Sequence, residues 1–150
     1  MKIAIATDHG AIDLKKAVMA HLEGKGHEVT DFGAYEPVSS DYPVYAAAAA
    51  RAVVKGECQR GIVMCTTGIG MSIACNKVKG IRCALLHDLR SAEMTRLHND
   101  TNMMALGAGV TEEALALQLV DIWLNTEFSG AERHVRRNAM VMALETEGHL

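Results

Sequence analysis

Short apolar runs rich in Ile, Val and Ala alternate with longer segments of helical period along most of the chain, and neither a linker nor a low-complexity stretch interrupts them. This is the pattern of βαβ units, an α/β fold on a parallel sheet. Strands are expected at Lys2 to Thr7, Glu28 to Asp31, Gly61 to Cys65, Arg82 to His87 and Met103 to Leu106. Helices are expected at Ala11 to Glu23, Tyr42 to Lys55, Gly70 to Val78, Ser91 to Leu97 and Thr111 to Asn125. With 150 residues the chain is sized for one domain, residues 1–150.

Several boundaries carry their own chemistry. Thr111 before Glu112 and Glu113 reads as an N-cap with acids in the first turn, where the helix dipole favours them. Pro43 fits the first turn of a helix, where its missing N–H costs nothing. After Asn125 one more helix remains with no strand to pair with it, and its Val135, Met140, Val141 and Leu144 form an apolar stripe. That helix either covers its own sheet or crosses to a neighbouring subunit.

Composition narrows the partners. A net charge of −3, with acids and bases interspersed, gives no footprint for nucleic acid or an anionic membrane surface and leaves a small neutral or anionic metabolite. No run approaches the length of a membrane span, and the apolar opening "IAIA" is broken by Asp8 too soon for a signal segment, so a cytoplasmic protein is expected. Cys58, Cys65, Cys75 and Cys83 make no C-x-x-C pair, which points away from structural zinc and toward reduced thiols that mostly fill the core.

In open parallel sheets ligands bind beyond the carboxyl ends of the strands. Those ends here present "TDHG", "CTTGIG", "LHD" and "GAG", with "SSDYP" in the loop after the second strand. Cys65 stands where the third strand ends and a glycine-rich turn opens a helix whose free N–H groups stabilise an anion, so its thiolate form is favoured there. It is a candidate general base or nucleophile, and equally a small hydrophobe at a strand end. The glycines can cradle a phosphate, hold the oxygen of an enolate, or simply make the turn. The dinucleotide fingerprint is only partly met: Gly68 and Gly70 match, Ile73 stands where the third glycine belongs, and Asp88 lies about 20 residues on.

Asp8, His9, His98, Asn99 and Asp100 supply proton-handling groups, although His98 also suits a helix C-terminal cap. Arg133 and Arg137, spaced i,i+4, place two guanidinium groups on one helix face, which suits a phosphate as well as a solvated surface with Arg136 and Glu132. His21, His27 and His149 read as surface residues.

Together "TDHG", "SDYP", "GIVMCTTGIGMSIACNKVKGIR", "HNDTNMMALG" and "ERHVRR", in this order and spacing, resemble the ribose-5-phosphate isomerase B family, which includes the allose-6-phosphate and galactose-6-phosphate isomerases. The resemblance runs nearly end to end. It implies a Rossmann-like α/β/α sandwich with a five-stranded parallel sheet, working as a homodimer, or a dimer of dimers, whose active sites lie between subunits and use the C-terminal helix. The implied reaction is aldose–ketose isomerisation of a phosphorylated sugar, without metal or cofactor. By the same resemblance Cys65 moves a proton between C1 and C2. Thr67 and the amides of Gly68, Ile69 and Gly70 steady the enediolate, with Ser72 close by. Asp8 and His98 handle hydroxyl protons and ring opening, Tyr42 and Asn99 orient the sugar, and His9, Arg133 and Arg137 hold the phosphate.

Two positions depart from the family. Thr66 stands where a glycine is common after the cysteine, and Ile12 where an aromatic residue often follows the histidine. A β-branched residue does not readily take positive φ, so the loop at Thr66 must have an ordinary backbone or the pocket must differ. The expected substrate is ribose 5-phosphate and ribulose 5-phosphate, with tetrose, allose and galactose phosphates as alternatives. A nucleotide-binding module that uses the Gly-Ile-Gly turn and Asp88 without catalysis is the rival from another class.

Overall fold

The computed structural model describes residues 1–147; His149 lies outside them. In chain order the elements are β1 (Lys2–Thr7), α1 (Ile12–Gly24), β2 (Glu28–Asp31), α2 (Tyr42–Val54), β3 (Arg60–Cys65), α3 (Ile69–Asn76), β4 (Cys83–Leu85), α4 (Leu89–Asn99), β5 (Met103–Gly107), α5 (Glu113–Asn125) and α6 (Glu132–Glu147). The strands form one parallel sheet in the order β2-β1-β3-β5-β4. The chain moves outward from β1 to β2, then crosses back over β1 to β3 and continues the other way. The reversal opens a crevice between the carboxyl ends of β1 and β3.

Alternation along the strands makes two cores. Ile3, Ile5, Ile62, Met64, Met104 and Leu106 meet Leu14, Val18 and Leu22 of α1, Ala92 of α4 and Leu119, Val120 and Trp123 of α5. On the other face Ala4, Ala6, Val63, Cys65 and Ala105 meet Ala46, Ala49 and Ala50 of α2 and Met71 and Cys75 of α3. Small residues on both sides of that second layer let α2 lie close to the sheet. The result is an α/β/α sandwich.

Two buried cations are fully engaged and hold the strand ends. Lys15 donates from Nζ to Asp31 Oδ2 and to the carbonyl of Ala34, each at 2.7 Å. Arg96 donates to Asp100 Oδ1 at 2.7 Å and to the carbonyls of Thr101 and Thr126, which fixes the last turn of α4. Trp123 is buried, and its Nε1 donates to Thr101 Oγ1 at 2.9 Å. All four cysteines are free thiols, and Cys75 beside Cys83, together with burial, pushes the Cys83 thiol well up.

Four expectations need correction. Thr111 is not the N-cap of α5: its own N–H turns back to the Gly107 carbonyl at 2.9 Å, its side chain is buried, and Glu112 takes the cap position. β4 is three residues long, because as an edge strand it pairs only with β5, from Cys83 to Leu85. α4 starts earlier than expected, at Leu89, because Asp88 caps it by accepting from Ser91 N at 2.8 Å and Ser91 Oγ at 2.7 Å. His21 is more than a surface residue: its Nε2 lies 2.8 Å from Asp121 Oδ1 and helps tie α1 to α5.

α6 covers no sheet. It rests on α4 and the amino edge of β4 through polar groups, with Asn138 donating to the His98 carbonyl at 3.1 Å and Glu145 accepting from Gly80 N at 2.9 Å. Its apolar stripe, Val135, Met140, Val141 and Leu144, is about half exposed throughout. Polar residues thus make most of its inward contacts, with Val141 on the same side as Asn138 and Glu145 and lining a cavity with them. No helix of the described residues is long and apolar enough to cross a membrane.

Candidate active site

The expected site residues gather in two groups at opposite ends of the sheet. The first lies in the crevice. Asp8 follows β1, is 8% exposed, and accepts from Gly10 N through Oδ1 at 2.8 Å. His9 is exposed, and the Ser40 N–H points at its Nδ1 from 3.3 Å. A ring nitrogen that accepts leaves the proton on Nε2, so the other ring nitrogen of His9 is a donor.

Cys65 ends β3, pairs in register with Gly107 and is 6% exposed. The N–H of Gly68 points at its sulfur, at 3.0 Å. Gly68 is the N-cap of α3 with φ +76°, and a Cβ there would lie 2.5 Å from Leu85 Cδ1 and 2.9 Å from the Leu106 carbonyl carbon. Only glycine aims that amide at the thiol without strain. Thr67 Oγ1 accepts from Ile69 N at 3.3 Å, which leaves the Gly70 N–H without a protein acceptor among the described residues. Ser72, expected near the turn, lies in the first turn of α3 with its hydroxyl donated to the Ile69 carbonyl at 2.9 Å. The ring of Tyr42 lies over Gly70, where a Cβ would come within 2.9 Å of its Cζ.

The second group lies at the amino ends of the strands. α4 runs antiparallel to the sheet, so His98 and Asn99 in its last turn come down beside Arg82 and Asn102, the residues that lead into β4 and β5. Asn99 O accepts from Arg82 Nε at 2.9 Å, and Asn102 Oδ1 accepts from Arg82 N at 2.9 Å. Arg133 and Arg137 are exposed on α6 nearby. The five-residue strand β5 alone separates the two ends by roughly 13 Å, at about 3.3 Å per residue. One chain does not bring Cys65 and His98 together.

His134 escaped the sequence reading. Its ring stacks on His98 with centroids 4.2 Å apart and planes 13° from parallel. It is 7% exposed, and its Nε2 has no partner among the described residues. Burial, and then the neighbouring His98, Arg133 and Arg137, hold its pKa below the usual 6.5. The signal was present in the spacing of His134, Asn138 and Glu145, which share the inward side of α6, but flanking arginines make that stretch read as a solvated face.

A cavity of about 710 Å³ opens on the α1–α5 side of the same strand ends, lined among others by His9, Gly10, Ala108 and Thr111. Cys65 faces the other way, toward α2 and α3, and does not line it. Asp88, which the nucleotide reading needed for a ribose, is instead held by Ser91, whose hydroxyl and N–H push its carboxyl below the usual range.

The chain matches known proteins over nearly its whole length. Residues 3–141 fit the Ribose/Galactose Isomerase family model. Ribose-5-phosphate isomerase B of Escherichia coli is 43% identical over 144 residues, 96% of each chain. D-erythrulose-4-phosphate isomerase of Pectobacterium atrosepticum is 45% identical over 132 residues, 87% of this chain and 86% of that one. The structure of Clostridium thermocellum ribose-5-phosphate isomerase B superposes with a TM-score of 0.96 at 47% identity, covering 99% of both chains. The chain belongs to the Ribose/Galactose Isomerase family, and with it to the enzymes that interconvert aldoses and ketoses.

Proposed function

We propose that this enzyme interconverts ribose 5-phosphate and ribulose 5-phosphate through an enediolate, as a cytoplasmic homodimer in which each site takes residues from both copies. The observation that carries the reading is the separation of the two groups. Cys65, Asp8 and His9 stand at the carboxyl ends of the strands and His98, Arg133 and Arg137 at the amino ends, while α6 turns an apolar stripe outward. A second copy that covers the stripe can bring its own amino-end group to this crevice.

In that site Cys65 takes the proton from C2 and returns it to C1. Charge builds on the neighbouring oxygen, and the Gly70 N–H, which has no acceptor among the described residues, and the Thr67 hydroxyl receive it. A donor preset at such a position contributes about 3 to 4 kcal/mol in comparable enzymes. Asp8 and the second copy's His98 move hydroxyl protons and open the ring, with Tyr42 and Asn99 orienting the sugar. His9, Arg133 and Arg137 hold the phosphate, whose binding energy keeps the reacting carbons in register. The support for a five-carbon substrate is the E. coli relative, matched over nearly its whole length; the Pectobacterium relative favours a four-carbon phosphate as the second reading.

The test is kcat/KM for four-, five- and six-carbon aldose phosphates, side by side with a melt against nucleotides. Highest turnover of ribose 5-phosphate supports the proposal. No turnover of any sugar phosphate, with stabilisation by a nucleotide, overturns it.

A further inference from the structure

Thr66, the residue after Cys65, is a wedge. A Cβ placed on Gly10 would meet its Oγ1 at 2.3 Å, and one placed on Gly109 would meet its Cγ2 at 3.0 Å, so each branch of the side chain lies against a glycine. The backbone beneath it is fixed as well, since Gly109 N donates to the Thr66 carbonyl at 2.8 Å and Ala108 N to the Cys65 carbonyl at 2.9 Å. Thr66 has an ordinary negative φ, because among the described residues Asp100 is the only non-glycine with a positive one. Cys65 turns its side chain to the α2–α3 face, and Thr66, just past the end of β3, sets its own against Gly10 and Gly109. There it is exposed and lies against Gly10, which with Ala108 lines the cavity of about 710 Å³.

We propose that Thr66 sets the length of sugar phosphate the enzyme accepts, by closing the gap between Gly10 and Gly109. The inference rests on the isomerase reading above. With the carbonyl end held at Cys65 and the phosphate at His9, an extra CHOH unit lengthens the chain between two fixed points and must bow sideways. Thr66 fills the side on which there is room. The cavity next to it is lined by Asp13, Glu36, Glu112 and Glu113 as well as by Lys16 and His9, so a hydroxyl finds carboxylate acceptors there while the phosphate keeps to His9 on the same wall. Removing the wedge admits the bowed, hydroxylated middle of a longer substrate without moving its charged end.

The experiment compares Thr66→Gly, Thr66→Ala and Thr66→Val with the parent enzyme, measuring kcat/KM on allose 6-phosphate and on ribose 5-phosphate. Thr66→Gly and Thr66→Ala raise the six-carbon to five-carbon ratio by about tenfold or more, the usual effect of freeing a small group's volume in a pocket. Thr66→Val, which keeps the shape and loses the hydroxyl, holds the parent ratio. Should Thr66→Gly loosen the loop and fold poorly, Thr66→Ala carries the test alone. A ratio that stays within about twofold of the parent in folded Thr66→Ala, or that moves as far in Thr66→Val, overturns the proposal. A parent enzyme that turns over neither sugar sinks the five-carbon substrate reading instead, whereas a working parent with an unmoved ratio sinks only the role of Thr66.

Discussion

The imidazoles of His98 and His134 lie face to face, 4.2 Å apart, and the second is buried with an Nε2 that has no partner among the described residues. Protonating His134 would put a charge against a neighbouring ring and two guanidinium groups. Its folded pKa lies below the unfolded 6.5, so between the two values the unfolded chain binds more protons, and stability rises with pH through that window. The melting temperature should therefore fall as pH drops below 6.5, and His134→Gln should flatten that slope. An unchanged slope in the variant would assign the acid sensitivity to other groups.

Two inactive variants should rescue one another. Cys65→Ala and His98→Ala each lack one member of every site if Cys65 and His98 come from different copies. Mixed after dissociation and reassociation, half the dimers carry one intact site, which restores about one quarter of wild-type activity for a two-fold symmetric pair. A mixture that stays inactive, with mixed dimers verified by mass, would place the site within one chain.

Cys65→Ala should lower kcat by about 10² to 10⁴, the range for a missing general base, with a fully folded protein. Loss of one small buried group costs about 1 kcal/mol, so the melt shifts little. Equal kcat in the variant would remove the thiol from the chemistry.

Gly68→Ala should harm both stability and turnover. Its Cβ meets Leu85 and the Leu106 backbone, and its φ of +76° costs an L-residue about 1 to 3 kcal/mol. Denaturation should show the loss directly, and residual folded enzyme should have reduced kcat because the amide no longer points at the sulfur.

Arg133→Ala and Arg137→Ala should each raise KM for phosphorylated substrates by about tenfold or more, the effect of losing a charge-assisted contact of roughly 1.5 to 3 kcal/mol. Turnover of unphosphorylated ribose, where measurable, should be indifferent to either change. Wild-type KM in both would remove α6 from phosphate binding.

Much of this was legible in the sequence. β1 and β2 match their expected bounds to the residue, because apolar content and turn residues change together at their ends. Thr111 misled because Thr-Glu-Glu reads equally well as a cap in two registers, and a tertiary hydrogen bond to Gly107 decides between them. β4 shortened for a reason no local pattern carries, namely its place at the sheet edge. The site residues were nameable, but their division was not stated, although it follows from topology: a residue in the last turn of a helix after a strand must come down at the amino end of the sheet. His134 stayed hidden because its burial depends on α6 turning its polar side inward, against the usual direction.

The proposed pairing through α6 would make catalysis a function of concentration. Val135, Met140, Val141 and Leu144 of α6 are about half exposed, and Cys65 and His98 of a solitary chain stay at opposite ends of its sheet. Specific activity should therefore decline on dilution, with a midpoint at the dissociation constant of the pair, and recover when the sample is concentrated again.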